Sequence, residues 1–253
     1  MKVTFLGTGT SVGVPRIACD CAVCASTDPR NQRLRCSLWL EQDGRSILID
    51  TTPDLRTQVL RAGIRRLDGV LLTHGHADHL HGLDDVRCFG LEHSRPLPCY
   101  ADRCTIQRIR TVFDYAFRTN NPSSVPRLAL HQVDGPFNLA GFTIVPVPLL
   151  HGRQQILGYR IGDLAYLTDC SDIPQASMPL LRRLEVLVLG ALRDHPHPTH
   201  FSLDQAVAAA NSIAAGRTLL THISHSLDHA TTNARLPASV QLSYDGLTLS
   251  VSG

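Results

Sequence analysis

Short apolar runs, each ending at a glycine, a proline or a polar pair, divide the chain into alternating strands and helices. In the first half, 3–6 reads as a strand, and 37–41 with 45–50 as a hairpin about Asp43-Gly44. Residues 54–62 carry helical periodicity, with Leu55, Val59 and Leu60 on one face, Arg56 and Arg61 outside, and Gly63 as the stop. A strand over 67–73, a helix over 79–88 with His81 turned outward, a strand over 97–101 and a helix over 102–113 follow. Residues 114–127 are the least regular part and read as a lid, a homodimer contact or an ordinary surface loop. The second half repeats the scheme. Strands are expected over 137–139, 142–147, 157–161, 164–168, 186–189 and 217–221, with helices over 174–183 and 203–215. A hairpin over 240–251, turning at Asp245-Gly246, closes the chain. Strand runs with interspersed helices in each half predict an α/β (α+β) fold of two facing sheets with helices outside.

One strand ends in unusual chemistry. After Val70-Leu71-Leu72-Thr73 come His74, His76, Asp78 and His79, spaced H-x-H-x-D-H. Imidazole and carboxylate together suit zinc, manganese or iron, and a strand end is a rigid place to hold them. Gly75 and Ala77 leave the chain free to turn between the ligands. The loop 7–15, with three glycines, allows a close backbone approach to such a site or to a ligand.

Composition narrows the rest. A chain of 253 residues with 43% apolar and 18% charged residues is an ordinary globular protein, read as one domain over 1–253. The formal net charge of +2 gives little reason to expect a nucleic-acid or membrane partner. The apolar start is too short for a signal peptide and reads as a strand, so a cytoplasmic location is expected. Eight cysteines do not resemble a disulfide framework: Cys19, Cys21 and Cys24 crowd together, which suggests metal or redox chemistry.

H-x-H-x-D-H after an apolar strand resembles the signature of the metallo-β-lactamase superfamily of binuclear hydrolases. The matching later segments are Pro148-Leu149-Leu150-His151-Gly152, Tyr166-Leu167-Thr168-Asp169 and Leu219-Leu220-Thr221-His222. The resemblance implies a four-layer αββα sandwich. It also implies that His74, His76 and His151 hold one divalent metal, that Asp78, His79 and His222 hold a second, and that Asp169 bridges them. Asp50 resembles the family's outer carboxylate that orients a ligand histidine; otherwise Asp50, Thr51 or Thr52 caps the next helix.

The opening L-G-T-G-T-S-x-G-x-P is similar to that of the superfamily's phosphodiesterases. If His222 points to the metals, His225 can join Cys19, Cys21 and Cys24 in a closed, structural Cys₃His zinc site. That arrangement resembles superfamily members that hydrolyse phosphoribosyl cyclic phosphates. By position His200 matches the family's active-site histidine, as general acid or phosphate ligand, with His197 the second choice. Asp78 and His200 are thus the expected catalytic residues. The activity implied is phosphodiester hydrolysis of a small phosphorylated substrate, with 5-phosphoribosyl 1,2-cyclic phosphate the specific expectation. A thioester, lactone or other ester hydrolase and a non-catalytic cofactor-biosynthesis protein are the rivals.

Overall fold

The computed structural model describes residues 1–90, 95–118 and 124–252. Six strands lie side by side in sequence order: β1 (Lys2–Gly7), β2 (Ser37–Gln42), β3 (Arg45–Ile49), β4 (Gly69–Leu71), β5 (Leu97–Ala101) and β6 (Leu128–Gln132). Seven more build a second sheet, again in order: β7 (Phe137–Leu139), β8 (Phe142–His151), β9 (Gln154–Ile161), β10 (Leu164–Leu167), β11 (Val186–Gly190), β12 (Arg217–Thr221) and β13 (Val240–Leu242). The last strand, β14 (Thr248–Ser250), returns to the first sheet beside β1. Each sheet starts antiparallel and becomes parallel, from β3 onward in one and from β10 onward in the other.

Alternation along the strands assigns the layers. Phe5, Leu38, Leu40, Ile47, Ile49 and Leu71 meet Ile144, Tyr159, Ile161, Val186, Val188 and Leu219 between the sheets. The residues one step out of phase, Leu48, Val70 and Leu72, face outward under α1 (Leu55–Ala62), α2 (Ala77–Leu80), α3 (Arg87–Gly90) and α4 (Arg103–Val112), where Leu55, Leu80 and Ile109 meet them. On the other side Leu187, Leu189 and Leu220 pack on Ala206, Ala210 and Ile213 of α5 (Leu203–Ile213). A Ser202/Gln205 capping box starts α5, and α6 (His229–Asn233) lies near the end of the chain. The expected αββα sandwich is the fold observed.

Several expectations give way to tertiary structure. The 240–251 segment is not a hairpin: β13 pairs in parallel with β12 and β14 pairs antiparallel with β1, so the turn carries the chain from one sheet to the other. On α1 it is Gln58 that is buried beside Leu55, while Leu60 is 63% exposed, because the glutamine amide donates to the Arg35 carbonyl. The 79–88 helix is broken into α2, a 3₁₀ turn at Leu83–Val86 and α3; His81 does point outward, toward Phe113. With Pro179 inside it, Gln175–Leu181 is a 3₁₀ stretch rather than an α-helix. Within 114–127, Asp114–Phe117 form a 3₁₀ turn and 119–123 lie outside the described residues. β6 and α6 had no clear signal in the chain.

The glycine loop packs against the 33–35 backbone and also runs beside the candidate ligands, its Thr8 carbonyl accepting from the Ile223 amide next to His222 at 2.9 Å. A Cβ on Gly7 would stand 2.1 Å from the Arg35 carbonyl oxygen. Backbone cannot yield as a side-chain tip can, so Gly7→Ala should cost about 1–3 kcal/mol or more in a denaturant melt. An unchanged midpoint would contradict the packing described.

Candidate metal centre

The carboxyl ends of the strands converge on one edge of the sandwich, and three of them stop in the same way. Asp50 follows β3, Asp169 follows β10 by one residue, and His222 follows β12, with φ of 64°, 57° and 58°. Left-handed backbone at a non-glycine residue costs on the order of 1–3 kcal/mol and is concentrated at functional sites. Here it accompanies side chains that reach the site: the Asp50 carboxylate contacts Thr73 and His79, and that of Asp169 contacts His79 and His222. Among the described residues this is a signal that periodicity could not have supplied.

His74 and His76 lie on the turn after β4. His76 is the residue before α2, so Asp78 and His79 fall in the helix's first turn and are buried, while His76 stays exposed. His151 ends β8 and is buried. His74 and His76 rings lie 4.5 Å apart, and each lies 5.6 or 5.1 Å from His151. The Asp169 carboxylate sits between the two groups of side chains. Its Oδ2 is 3.8 Å from His74 Nε2 and 3.3 Å from His79 Nε2, and its Oδ1 is 3.1 Å from His222 Nε2. Asp78 Oδ2 faces the same His79 and His222 nitrogens at 3.2 and 3.5 Å.

The hydrogen bonds behind these rings fix their tautomers. His79 Nδ1 donates to Asp50 Oδ2 at 2.7 Å. The Thr73 hydroxyl donates to the same oxygen at 2.9 Å and is left to accept from His74 Nδ1 at 3.0 Å. His151 Nδ1 donates to the Asp169 carbonyl oxygen at 2.5 Å. In all three rings the Nε2 lone pair is therefore the free one. Asp50 thus orients two histidines, one directly and one through Thr73. It is not a helix cap: Asp54 occupies that position, and Thr52 Oγ1 accepts from the Asp54 amide.

His74 Nε2, His79 Nε2 and both ring nitrogens of His222 are buried without a hydrogen-bond partner. Orphaned polar atoms of this kind cost about 1–3 kcal/mol each unless something pairs with them. Three carboxylates, those of Asp50, Asp78 and Asp169, are buried in the same place. Burial would lower His79, yet Asp169, Asp50 and Asp78 together hold it well above the ordinary histidine range. Burial would raise Asp169, yet His222 and His79 hold it well below the carboxylate range. Such a pocket calls for positive charge, and divalent cations bound to the free Nε2 and carboxylate atoms fit it.

His200 completes one side of the pocket. Its ring stacks on His222 at 4.8 Å and meets His151 edge-on at 4.7 Å, and His197 lies 5.0 Å further out. Burial, with His222 and His151 nearby, pushes His200 down to about 3, so it is neutral at pH 7. One further buried residue lies near the ligands, with no motif in the sequence to mark it: Cys36, just before β2.

Away from this pocket, Cys19, Cys21, Cys24 and His225 come together. His225 Nδ1 lies 3.5 and 3.3 Å from the sulfurs of Cys19 and Cys21. Tetrahedral zinc with bonds of about 2.3 Å to sulfur and 2.0–2.1 Å to nitrogen spaces its ligands by about 3.5 Å, so the donors fit. The His225 hydrogen bond brings the Cys21 thiol down to about 6.

The sequence profile of the Beta-lactamase superfamily domain matches residues 45–223. Over 98% of this chain and 96% of the other, the structure superposes with a TM-score of 0.93 on a diphosphatase from the PhnP family, at 48% identity. Zinc-bound PqqB from Methylobacterium extorquens superposes with a TM-score of 0.79 at 21% identity, over 99% of this chain and 100% of that one. An octanoyltransferase of Porphyromonas gingivalis is 41% identical over 98% of this chain, which spans only 51% of that relative. A coenzyme PQQ synthesis protein B of Rhodopseudomonas palustris is 29% identical over 97% of this chain and 98% of its own length.

Proposed function

This chain belongs to the β-lactamase superfamily, and from that premise we propose that it is a two-metal hydrolase cleaving a phosphodiester or diphosphate linkage in a small phosphorylated substrate. The observation that carries the reading is the convergence of unpartnered Nε2 atoms from His74, His79 and His222 on the carboxylates of Asp78 and Asp169. His74, His76 and His151 would hold one ion, Asp78, His79 and His222 the other, with Asp169 between them. Zinc, manganese and iron all suit this donor set. Two such ions supply a water of lowered pKa and a clamp on the attacking and leaving oxygens of an in-line displacement.

The protein's own residues supply the rest. Asp50 holds His79 directly, and His74 through Thr73, in the tautomers that present Nε2. The left-handed Asp169 and His222 bring their side chains into contact at the site before substrate arrives. His200, neutral and half-buried at the pocket wall, is placed to donate a hydrogen bond to a phosphate oxygen, or a proton once substrate charge raises it. The PhnP-family diphosphatase at 48% identity supports phosphorus as the centre attacked. Within that class the cyclic sugar phosphate 5-phosphoribosyl 1,2-cyclic phosphate is our specific candidate.

A second reading rests on the relative named octanoyltransferase: the same pocket would open an acyl thioester or ester. One panel separates the two. Bis(p-nitrophenyl) phosphate, the cyclic sugar phosphate, a nucleoside diphosphate derivative and an octanoyl thioester are turned over by the metal-loaded protein. Preference for the phosphorus substrates is expected. Turnover of the thioester alone would overturn the phosphodiester reading, and turnover of none would favour a non-catalytic role in cofactor biosynthesis.

The cysteine cluster is proposed as a structural zinc site. Cys21→Ser should release one zinc per chain and lower the melting temperature, while turnover per active site falls much less. Equal zinc content in both proteins would reject the site.

A further inference from the structure

Cys36 differs from the other deeply buried cysteines. Cys99 and Cys170 each direct their sulfur to a backbone carbonyl, at 3.6 and 3.8 Å, as inert core thiols do. Among the described residues Cys36 has no carbonyl partner: its sulfur lies 3.5 Å from the Thr168 hydroxyl, which itself donates to Asp169 Oδ1 at 2.8 Å. More to the point, Cys36 Sγ and the ligand atoms of His79, Asp169 and His222 all lie within 4.8 Å of one another, and all four residues are buried. Two of those residues present nitrogens with no hydrogen-bond partner, His79 Nε2 and His222 Nε2.

We propose that Cys36 is a ligand of the ion that His79 and His222 would hold beside Asp169, so that one catalytic position carries a sulfur donor and the other only nitrogen and oxygen. The proposal rests on the two-metal reading above. On binding, the S–H proton leaves to solvent and a sulfur–metal bond forms, with no change of oxidation state. The backbone fixes the approach, since the Cys36 amide donates to the Gly9 carbonyl at 3.1 Å. A soft donor at one position would make the two sites unequal, favouring zinc or iron over manganese there.

Cadmium-113 NMR of the intact wild-type protein, loaded with the enriched metal, reads the donors directly, because each thiolate shifts the resonance strongly downfield. The expected spectrum has a far-downfield signal from the cysteine cluster, an intermediate signal from a site with one sulfur, and a third in the nitrogen–oxygen range. Cys36→Ser should move only the intermediate signal, into the nitrogen–oxygen range. Two catalytic signals in that range in the wild type would overturn the proposal and leave the two-metal reading standing. No cadmium outside the cysteine cluster would overturn both. Since the wild-type spectrum alone decides, a variant that fails to fold does not protect the idea.

Discussion

Replacing Asp169 by alanine is expected to lower kcat/KM for bis(p-nitrophenyl) phosphate by at least about 10³-fold. Among the described residues, Asp169 is the side chain whose carboxylate reaches both groups of histidines, His74 on one side and His79 and His222 on the other. Without it, no carboxylate would stand between the two groups of histidines, and Asp78 would serve only His79 and His222. Metal content per chain should fall by about one ion, since the second position loses a charged donor. The fold should persist: Asp169 stands after the end of β10, and the Leu164, Ala165, Tyr166 and Leu167 side chains that anchor that strand are untouched. Circular dichroism should therefore overlay with the wild type. Wild-type turnover by a correctly folded, fully loaded variant would refute the bridging role.

His200→Ala should slow both bis(p-nitrophenyl) phosphate and the cyclic sugar phosphate by a similar factor, about 10²–10³. The reason is its environment. Burial beside His222 and His151 keeps the ring neutral, with a pKa of about 3, so at pH 7 few molecules carry the proton an acid would give. A neutral N–H still grips a phosphate oxygen whatever group departs. A proton donor would show a different pattern, because p-nitrophenolate leaves unaided and a ribose alkoxide does not. Loss confined to the sugar substrate, toward 10⁴-fold, would assign His200 the acid role instead. If neither rate changes, His200 has no part in the chemistry. Metal content has to be measured alongside, so that lost metal is not mistaken for lost catalysis.

What could be read from the chain was what lies contiguous in it. Leu71 to His79 holds a strand, a turn and four candidate ligands of two kinds close together, so pattern and chemistry agree without any knowledge of distant contacts. His151, Asp169 and His222 each stand at or just after the end of an apolar strand, and their convergence depended on the family resemblance. Other features were hidden because they are decided between segments. Asp245-Gly246 announces a turn but says nothing of which sheet receives the next strand. Leu60 and Gln58 differ in burial because the Arg35 carbonyl needs a donor there. The left-handed residues look like any aspartate or histidine in sequence, and Cys36 joins the pocket only when the β1–β2 connection folds against β10.

The division of the candidate ligands between the two sheets bears on how the protein matures. His74, His76, Asp78 and His79 come from the first, and His151, Asp169 and His222 from the second. The seam between them is tied by Tyr159, whose hydroxyl donates to Leu72 O at 2.8 Å, and by the Leu157 amide on Thr73 O at 3.0 Å. A chain emerging from synthesis therefore presents only half a donor set until the later strands arrive and dock. Under the two-metal reading, high-affinity metal capture would follow the docking of the two halves, and a bound ion would certify that they have met in register.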